Sequence, residues 1–189
     1  MPDTIRTFIA VEIPENIISS IRNLQQDLKD YGIDMRWVRP ENIHITLKFF
    51  GNVKAADTDK IFGAMHKTTG GAASVSLNAK GIGVFPGIKR PRVLWVGLTG
   101  QLELLMRLQQ TLDENLEVVG FPKEKRPFKG HLTIGRIKAK INSKRLVDAL
   151  TAFSRFESET FVADKIILFK SELKPHGAAY TNLASASLG

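Results

Sequence analysis

Residues Ile43–Phe50 read I-H-I-T-L-K-F-F. Apolar and polar residues alternate for six positions, the period of a β-strand with one oily face and one polar face. Ile43, Ile45 and Leu47 are expected on one face, and His44, Thr46 and Lys48 on the other. An imidazole, a hydroxyl and an ammonium on one strand face suit a phosphate. The pattern returns at His131–Ile134, H-L-T-I, so that the two histidines stand 87 positions apart.

The flanking sequence alternates strands and helices. Arg6–Ile13 reads as an opening strand, and Pro14 suits the start of a helix over Glu15–Asp30, closed by Gly32. Met35–Val38 is a short extended piece, and Pro40–Asn42 turns into the Ile43 strand. A helix over Asp57–Thr69 follows, broken by Gly70-Gly71. Val75–Phe85 and Val93–Leu98 are strand-like and enclose the loop Pro86–Pro91. Leu102, Leu105, Leu108 and Leu112 form the clearest helical stripe in the chain, over Leu102–Leu116. The second motif occupies a strand at His131–Ile137. Ser143 is a candidate cap for a helix reaching about Phe153. Phe161–Phe169 reads as one alternating strand, and Ala178–Ala184 as the last.

This order contains no run of βαβ units with glycine-rich turns. It predicts an α+β fold with largely antiparallel sheet. The duplicated H-x-T strands suggest two similar lobes facing each other across a cleft. No linker or low-complexity stretch separates independent domains. Residues 1–189 therefore read as a single bilobal domain, with one H-x-T-x motif in each lobe.

Lys and Arg number 27 against 19 Asp and Glu, a net charge of +8, which favours an anionic partner. The charge is clustered. Lys123–Arg145 holds nine Lys or Arg and one acid, Glu124, and brackets His131. Arg36, Arg39 and Lys48 flank His44. A charge run is usually a solvated face, but these runs sit beside both motifs, as a site for a phosphate polymer requires. The chain has no cysteine, which excludes disulfides, thiolate metal sites and a Cys nucleophile. With no signal-like or membrane-spanning stretch, a soluble cytoplasmic protein is expected and a membrane partner is not.

Two histidines facing one cleft suit acid–base catalysis near neutral pH. One takes a proton from a nucleophile and the other gives one to a leaving oxygen, so a phosphodiester fits. Thr46 and Thr133 are positioned to donate hydrogen bonds to non-bridging oxygens; their bland alternative is β-propensity alone. A metal site is disfavoured, because neither H-x-x-x-H nor H-E-x-x-H occurs and Thr is a poor zinc ligand. No P-loop supports nucleoside triphosphate use. His66 and His176 read as surface residues. Arg126, then Lys48, are the candidate phosphate-binding cations. Trp37, Phe49, Phe50 and Tyr180 are candidates for base stacking, with core packing the expectation for the two Phe.

The two H-x-T-x motifs resemble those of the two-histidine (2H) phosphoesterases, specifically the bacterial and archaeal 2′-5′ RNA ligase-like proteins, also called RNA 2′,3′-cyclic phosphodiesterases. The stretches R-T-F-I-A-V-E-I-P, R-W-V-R-P-E-N-I-H-I-T-L-K-F-F-G, G-I-G-V-F-P, R-P-R-V-L-W-V-G-L, G-H-L-T-I-G-R and S-E-L-K-P-H-G-A-A-Y carry the likeness over nearly the whole chain. Gly130 departs from it, standing where the family commonly has Pro. The resemblance implies a bilobal fold with a pseudo-two-fold axis, a central cleft, and helices outside. It implies hydrolysis of a terminal 2′,3′-cyclic phosphate on RNA to a 2′-phosphomonoester, with no metal or nucleotide cofactor. His44 would then be the proton donor, His131 the proton acceptor, and Thr46 and Thr133 the phosphate holders. The expected partner is RNA with such an end, tRNA fragments included, bound by a monomer. The alternatives are 2′-5′ ligation, cleavage of internal 2′-5′ bonds, and a non-catalytic module that binds RNA ends.

Overall fold

The computed structural model describes residues 4–137, 141–175 and 177–189. Nine strands and four helices follow in chain order among these residues. They are β1 (Thr4–Glu12), α1 (Glu15–Asp30), β2 (Arg36–Trp37), β3 (His44–Lys54), α2 (Thr58–Thr69), β4 (Val75–Phe85), β5 (Val93–Gly100), α3 (Leu102–Val118), β6 (Leu132–Arg136), α4 (Ser143–Ala152), β7 (Glu157–Ala163), β8 (Lys165–Lys174) and β9 (Gly177–Ser187). All strand pairings are antiparallel, and the α+β expectation holds.

The strands run β7-β4-β5-β6-β3-β1-β8-β9, with β2 beside β6. The two expected sheets are thus halves of one sheet, joined where Ile45 of β3 pairs with Leu132 of β6. Each motif strand is the innermost of its half. The sheet curls strongly, and the chain itself requires this. Only Asp164 separates β7 from β8, so their facing ends are at most about 7 Å apart. Along the sheet those strands are six places apart, about 29 Å if it were flat. Sequence alternation alone ran Phe161–Phe169 together as one strand. Here Phe161 and Ala163 are buried in one half, while Ile166, Ile167 and Leu168 are buried in the other.

One core lies between the helices and one face of the sheet. Ile45, Leu47, Leu132 and Ile134 meet Ile17, Ile21, Leu24 and Leu28 of α1 and Leu105, Leu108, Leu112 and Leu116 of α3. Leu102, at the head of α3, is 37% exposed, and Leu116 completes the buried stripe in its place. Gln25 of α1 donates from Nε2 to the carbonyls of Val38 and Ile134 at 2.8 and 2.9 Å. That buried amide ties α1 to the approach to β3 and to β6 itself. The cap of α4 is Asn142, whose side chain accepts from the Arg145 N–H at 3.0 Å, with Ser143 as the first helical residue.

Candidate active site

The motif strands share a local device. Strict alternation would put Lys48 beside Thr46. Instead β3 carries a bulge: Ala10 pairs with Thr46, Ile9 with Lys48, and Leu47 is skipped. β6 repeats it against β5, where Trp95 pairs with Thr133, Leu94 with Gly135, and Ile134 is skipped. A bulge turns the following residue to the other face. Lys48 and Gly135 therefore enter the core, while Phe49 and Arg136 take the cleft side.

This corrects the expected role of Lys48. It is 7% exposed and lies on the face opposite His44. Its Nζ donates to Asp113 Oδ1 at 2.5 Å and to the Pro122 carbonyl at 2.6 Å. The other Asp113 oxygen accepts from the Glu124 N–H at 2.9 Å. A buried ammonium costs desolvation energy, which a carboxylate and a carbonyl together offset. Arg126 also lies outside the cleft, on the exposed loop after α3, with its guanidinium 3.8 Å from Glu124. Phe49 was expected in the core and is 48% exposed; Phe50 packs edge-on against Phe121 as expected. His66 is exposed on α2, and His176 lies outside the described residues.

The cleft, about 440 Å³, is lined by His44, Thr46, His131 and Thr133 together. Register explains the grouping. With Ile45 opposite Leu132, each histidine falls across the junction from the other motif's threonine. Arg6, Arg36, Arg39 and Arg136 supply positive charge around the same space, and Trp37, Phe49 and Tyr180 supply aromatic surface. Arg6 and Arg136 were not among the expected binding residues, and Phe49, a stacking candidate expected in the core, lines the cleft instead. Arg136 and Phe49 reach the cleft through the bulges, which strict alternation hides.

Both imidazoles are fixed in the same way. His44 Nδ1 lies 2.8 Å from the Asn42 carbonyl, and His131 Nδ1 lies 2.7 Å from the Lys129 carbonyl. A carbonyl only accepts, so each Nδ1 carries the proton. In the neutral ring Nε2 is then left unprotonated, ready to receive one.

Their surroundings differ. His44 stacks on Phe8 with ring centroids 4.7 Å apart, and Tyr180 approaches it edge-on at 5.4 Å. Phe8 stacks in turn on Phe169 at 5.3 Å. His131 meets the edge of Phe85 at 5.1 Å. The His44 pKa is lowered to about 4, chiefly by burial, with the charges of Arg136 and His131 acting in the same direction and the Asn42 carbonyl against them. Burial pushes the Tyr180 phenol up, so at neutral pH it is an O–H donor. Asn42 also anchors β9 by donating from Nδ2 to the Ala178 carbonyl at 2.7 Å, two residues before Tyr180.

The described residues contain no cluster of His, Cys, Asp and Glu able to hold a metal ion, and no helix long and apolar enough to cross a membrane. What the cleft offers is two orientated imidazoles, two threonine hydroxyls, the Tyr180 phenol and four guanidinium groups around one anion-sized space.

The family described as LigT like Phosphoesterase matches the chain twice, over residues 11–95 and 96–180, one match for each motif. A Methanocaldococcus jannaschii protein named RNA 2′,3′-cyclic phosphodiesterase is 37% identical, covering 93% of this chain and 96% of its own. A Methanothermobacter thermautotrophicus protein of the same name is 32% identical, over 95% and 96%. A solved structure from Thermus thermophilus superposes with a TM-score of 0.80 at 26% identity, over 97% of both chains. With two matched repeats that together span nearly the whole chain, this protein belongs to the LigT-like phosphoesterases of the 2H superfamily.

Proposed function

We propose that the protein is an RNA 2′,3′-cyclic phosphodiesterase, which opens a terminal 2′,3′-cyclic phosphate to a 2′-phosphomonoester. The observation that carries this reading is the pair of imidazoles in one arginine-lined cleft, each with Nδ1 committed to a carbonyl and Nε2 left for chemistry. The names borne by the archaeal relatives support it.

In this mechanism His131 Nε2 takes a proton from water as the water oxygen bonds to phosphorus. The bond from phosphorus to the 3′ oxygen breaks, and His44 Nε2–H protonates that oxygen as it departs. The 2′ ester bond survives, and proton exchange with solvent resets both rings. Thr46, Thr133 and Arg136 hold the non-bridging oxygens, and Tyr180 donates its O–H from the His44 side.

A proton donor must be charged before it acts, yet burial and the Arg136 charge depress His44. A phosphodiester anion reverses that. It offsets the Arg136 charge and favours the imidazolium, so substrate and proton arrive together. The rate then follows a bell against pH. In kcat/KM, which reports the free enzyme, the charged donor form of His44 is lost as pH rises through about 4.

The test uses a short RNA ending in a 2′,3′-cyclic phosphate, incubated with the protein in EDTA. A 2′-phosphate product, lost in His44→Ala and in His131→Ala, is the expected result. An untouched cyclic end with binding retained would overturn it in favour of an end-binding module. Competition with 2′-5′ linked oligonucleotides separates the reverse, ligating reaction, for which the same two groups exchange roles. The cytoplasm is the compartment this reading assigns, and RNA ends left by cleavage, tRNA fragments among them, are the substrate class.

A further inference from the structure

Phe49 lines two cavities at once. One is the catalytic cleft. The other is a neighbouring groove of about 550 Å³, bounded by Phe49, Phe50, Phe121, Lys123, Lys125 and Arg126. A large apolar ring in mid-strand is normally covered, but Phe49 is 48% exposed. The bulge at Leu47 and Lys48 turns it outward. Arg6 holds its guanidinium 4.6 Å above the ring, which keeps the aromatic face in place and adds charge beside it.

The groove is built and positively charged. Its floor is the buried Lys48, which pins the loop by its bond to the Pro122 carbonyl, while Asp113 grips the Glu124 N–H. Its wall carries Lys123, Lys125 and Arg126, all exposed. Lys123 lies 3.3 Å from Glu117, and Arg126 3.8 Å from Glu124. Such exposed pairs are worth about 0–1 kcal/mol, so a phosphate readily replaces either acid. Cations for the backbone beside a ring for a base are what a single strand of nucleic acid needs.

We propose that this groove is a second subsite, which holds the nucleotides immediately upstream of the reacting RNA end, with Phe49 stacking a base at the junction. The inference rests on the phosphodiesterase reading for its substrate. It goes beyond that reading in assigning a track for the polymer. The enzyme then prefers a chain to a lone nucleotide, through charges that take no part in the chemistry.

The experiment compares a 2′,3′-cyclic mononucleotide with a single-stranded hexaribonucleotide bearing the same end, using wild type and the Lys123→Glu/Lys125→Glu variant. In wild type, kcat/KM is expected to be at least tenfold higher for the hexamer at low salt. In the variant that advantage disappears, while the mononucleotide rate stays within twofold. Binding of a labelled hexamer, followed by fluorescence anisotropy, is expected to lose about 1.4 from its log–log salt slope, roughly 0.7 for each lysine removed. Lys125→Ala, a milder change in the same loop, is expected to move both readouts part of the way. No hexamer advantage in wild type, or an advantage and salt slope unchanged in the variants, overturns the subsite and leaves the phosphodiesterase standing. If wild type cleaves neither substrate, the phosphodiesterase reading fails. The anisotropy series still decides the groove, since equal binding by wild type and variant would overturn it.

Discussion

The two halves of the cleft are built alike and equipped differently. In each, a histidine, a buried aliphatic and a threonine lead into a bulge. In each, the imidazole Nδ1 bonds the carbonyl two residues upstream. Past the bulge they part. The first half buries Lys48 and presents Phe49; the second buries Gly135 and presents Arg136. A Cβ at Gly135 would run into the Met35 side chain, which would have to move for any larger residue there. The repeated part is what holds an imidazole. The divergent part gives the cleft an aromatic side and a cationic side, and so a direction in which an RNA end can lie.

The largest expected effect tests the shared part. His44→Ala and His131→Ala should each lower kcat about 10²–10⁴-fold. The double variant should fall little further than the worse single one, because two groups acting in one step do not contribute independently. Single-turnover rates on cyclic-ended RNA would measure this. Retention of most activity by either single variant would show that only one half performs chemistry.

The next effect tests the divergence. Lys48→Met leaves Asp113 buried with its charge unpaired, and should cost about 3–5 kcal/mol of stability by urea unfolding. Lys48→Met/Asp113→Leu, which removes both charges, should recover most of it. Failure of the double variant to recover would mean that the Pro122 carbonyl and the Glu124 N–H, rather than the ion pair, carry the stabilisation.

Much of this was legible in the sequence, and most of the failures share one source. The H-x-T repeats and the stripe on α3 follow from residue periodicity. Element order gave the α+β class, and the duplicated motif strands, with the resemblance they carry, gave the bilobal plan. What periodicity could not show is where the period breaks. One skipped residue moved Lys48 into the core and put Phe49 and Arg136 in the cleft. The single residue Asp164 divided what alternation read as one strand. Arg126 follows a different logic. Its sequence neighbourhood is basic, but loop geometry sends it to the groove beside the cleft. Bulges depend on pairing with β1 and β5, and that information is not local to the motif.

The smallest expected effect bears on which ring is the acid. Phe8 is 3% exposed and covers one face of His44, whereas His131 meets only a ring edge among the described residues. Phe8→Leu keeps the site apolar at a cost of about 1 kcal/mol, and lets water reach that face. The His44 pKa should then rise from about 4 towards its ordinary 6.5. The sign can be read in stability as well. A histidine depressed in the folded state binds more protons when unfolded, so its stabilising contribution is complete above about pH 6.5 and is lost as pH falls towards 4. In wild type that loss is about 3 kcal/mol; in Phe8→Leu it should shrink, and the pH at which kcat/KM loses the charged donor should move up with it. Imidazole NMR titration reads the same shift directly. The other groups facing His44 are Arg136 on β6, His131 just before β6 and Tyr180 on β9, and of these Arg136 is the permanent charge. If Phe8→Leu leaves the His44 titration unmoved while Arg136→Gln raises it, charge rather than burial sets the difference between the halves. The two histidines would then owe their distinct roles to the bulge that placed Arg136 in the cleft.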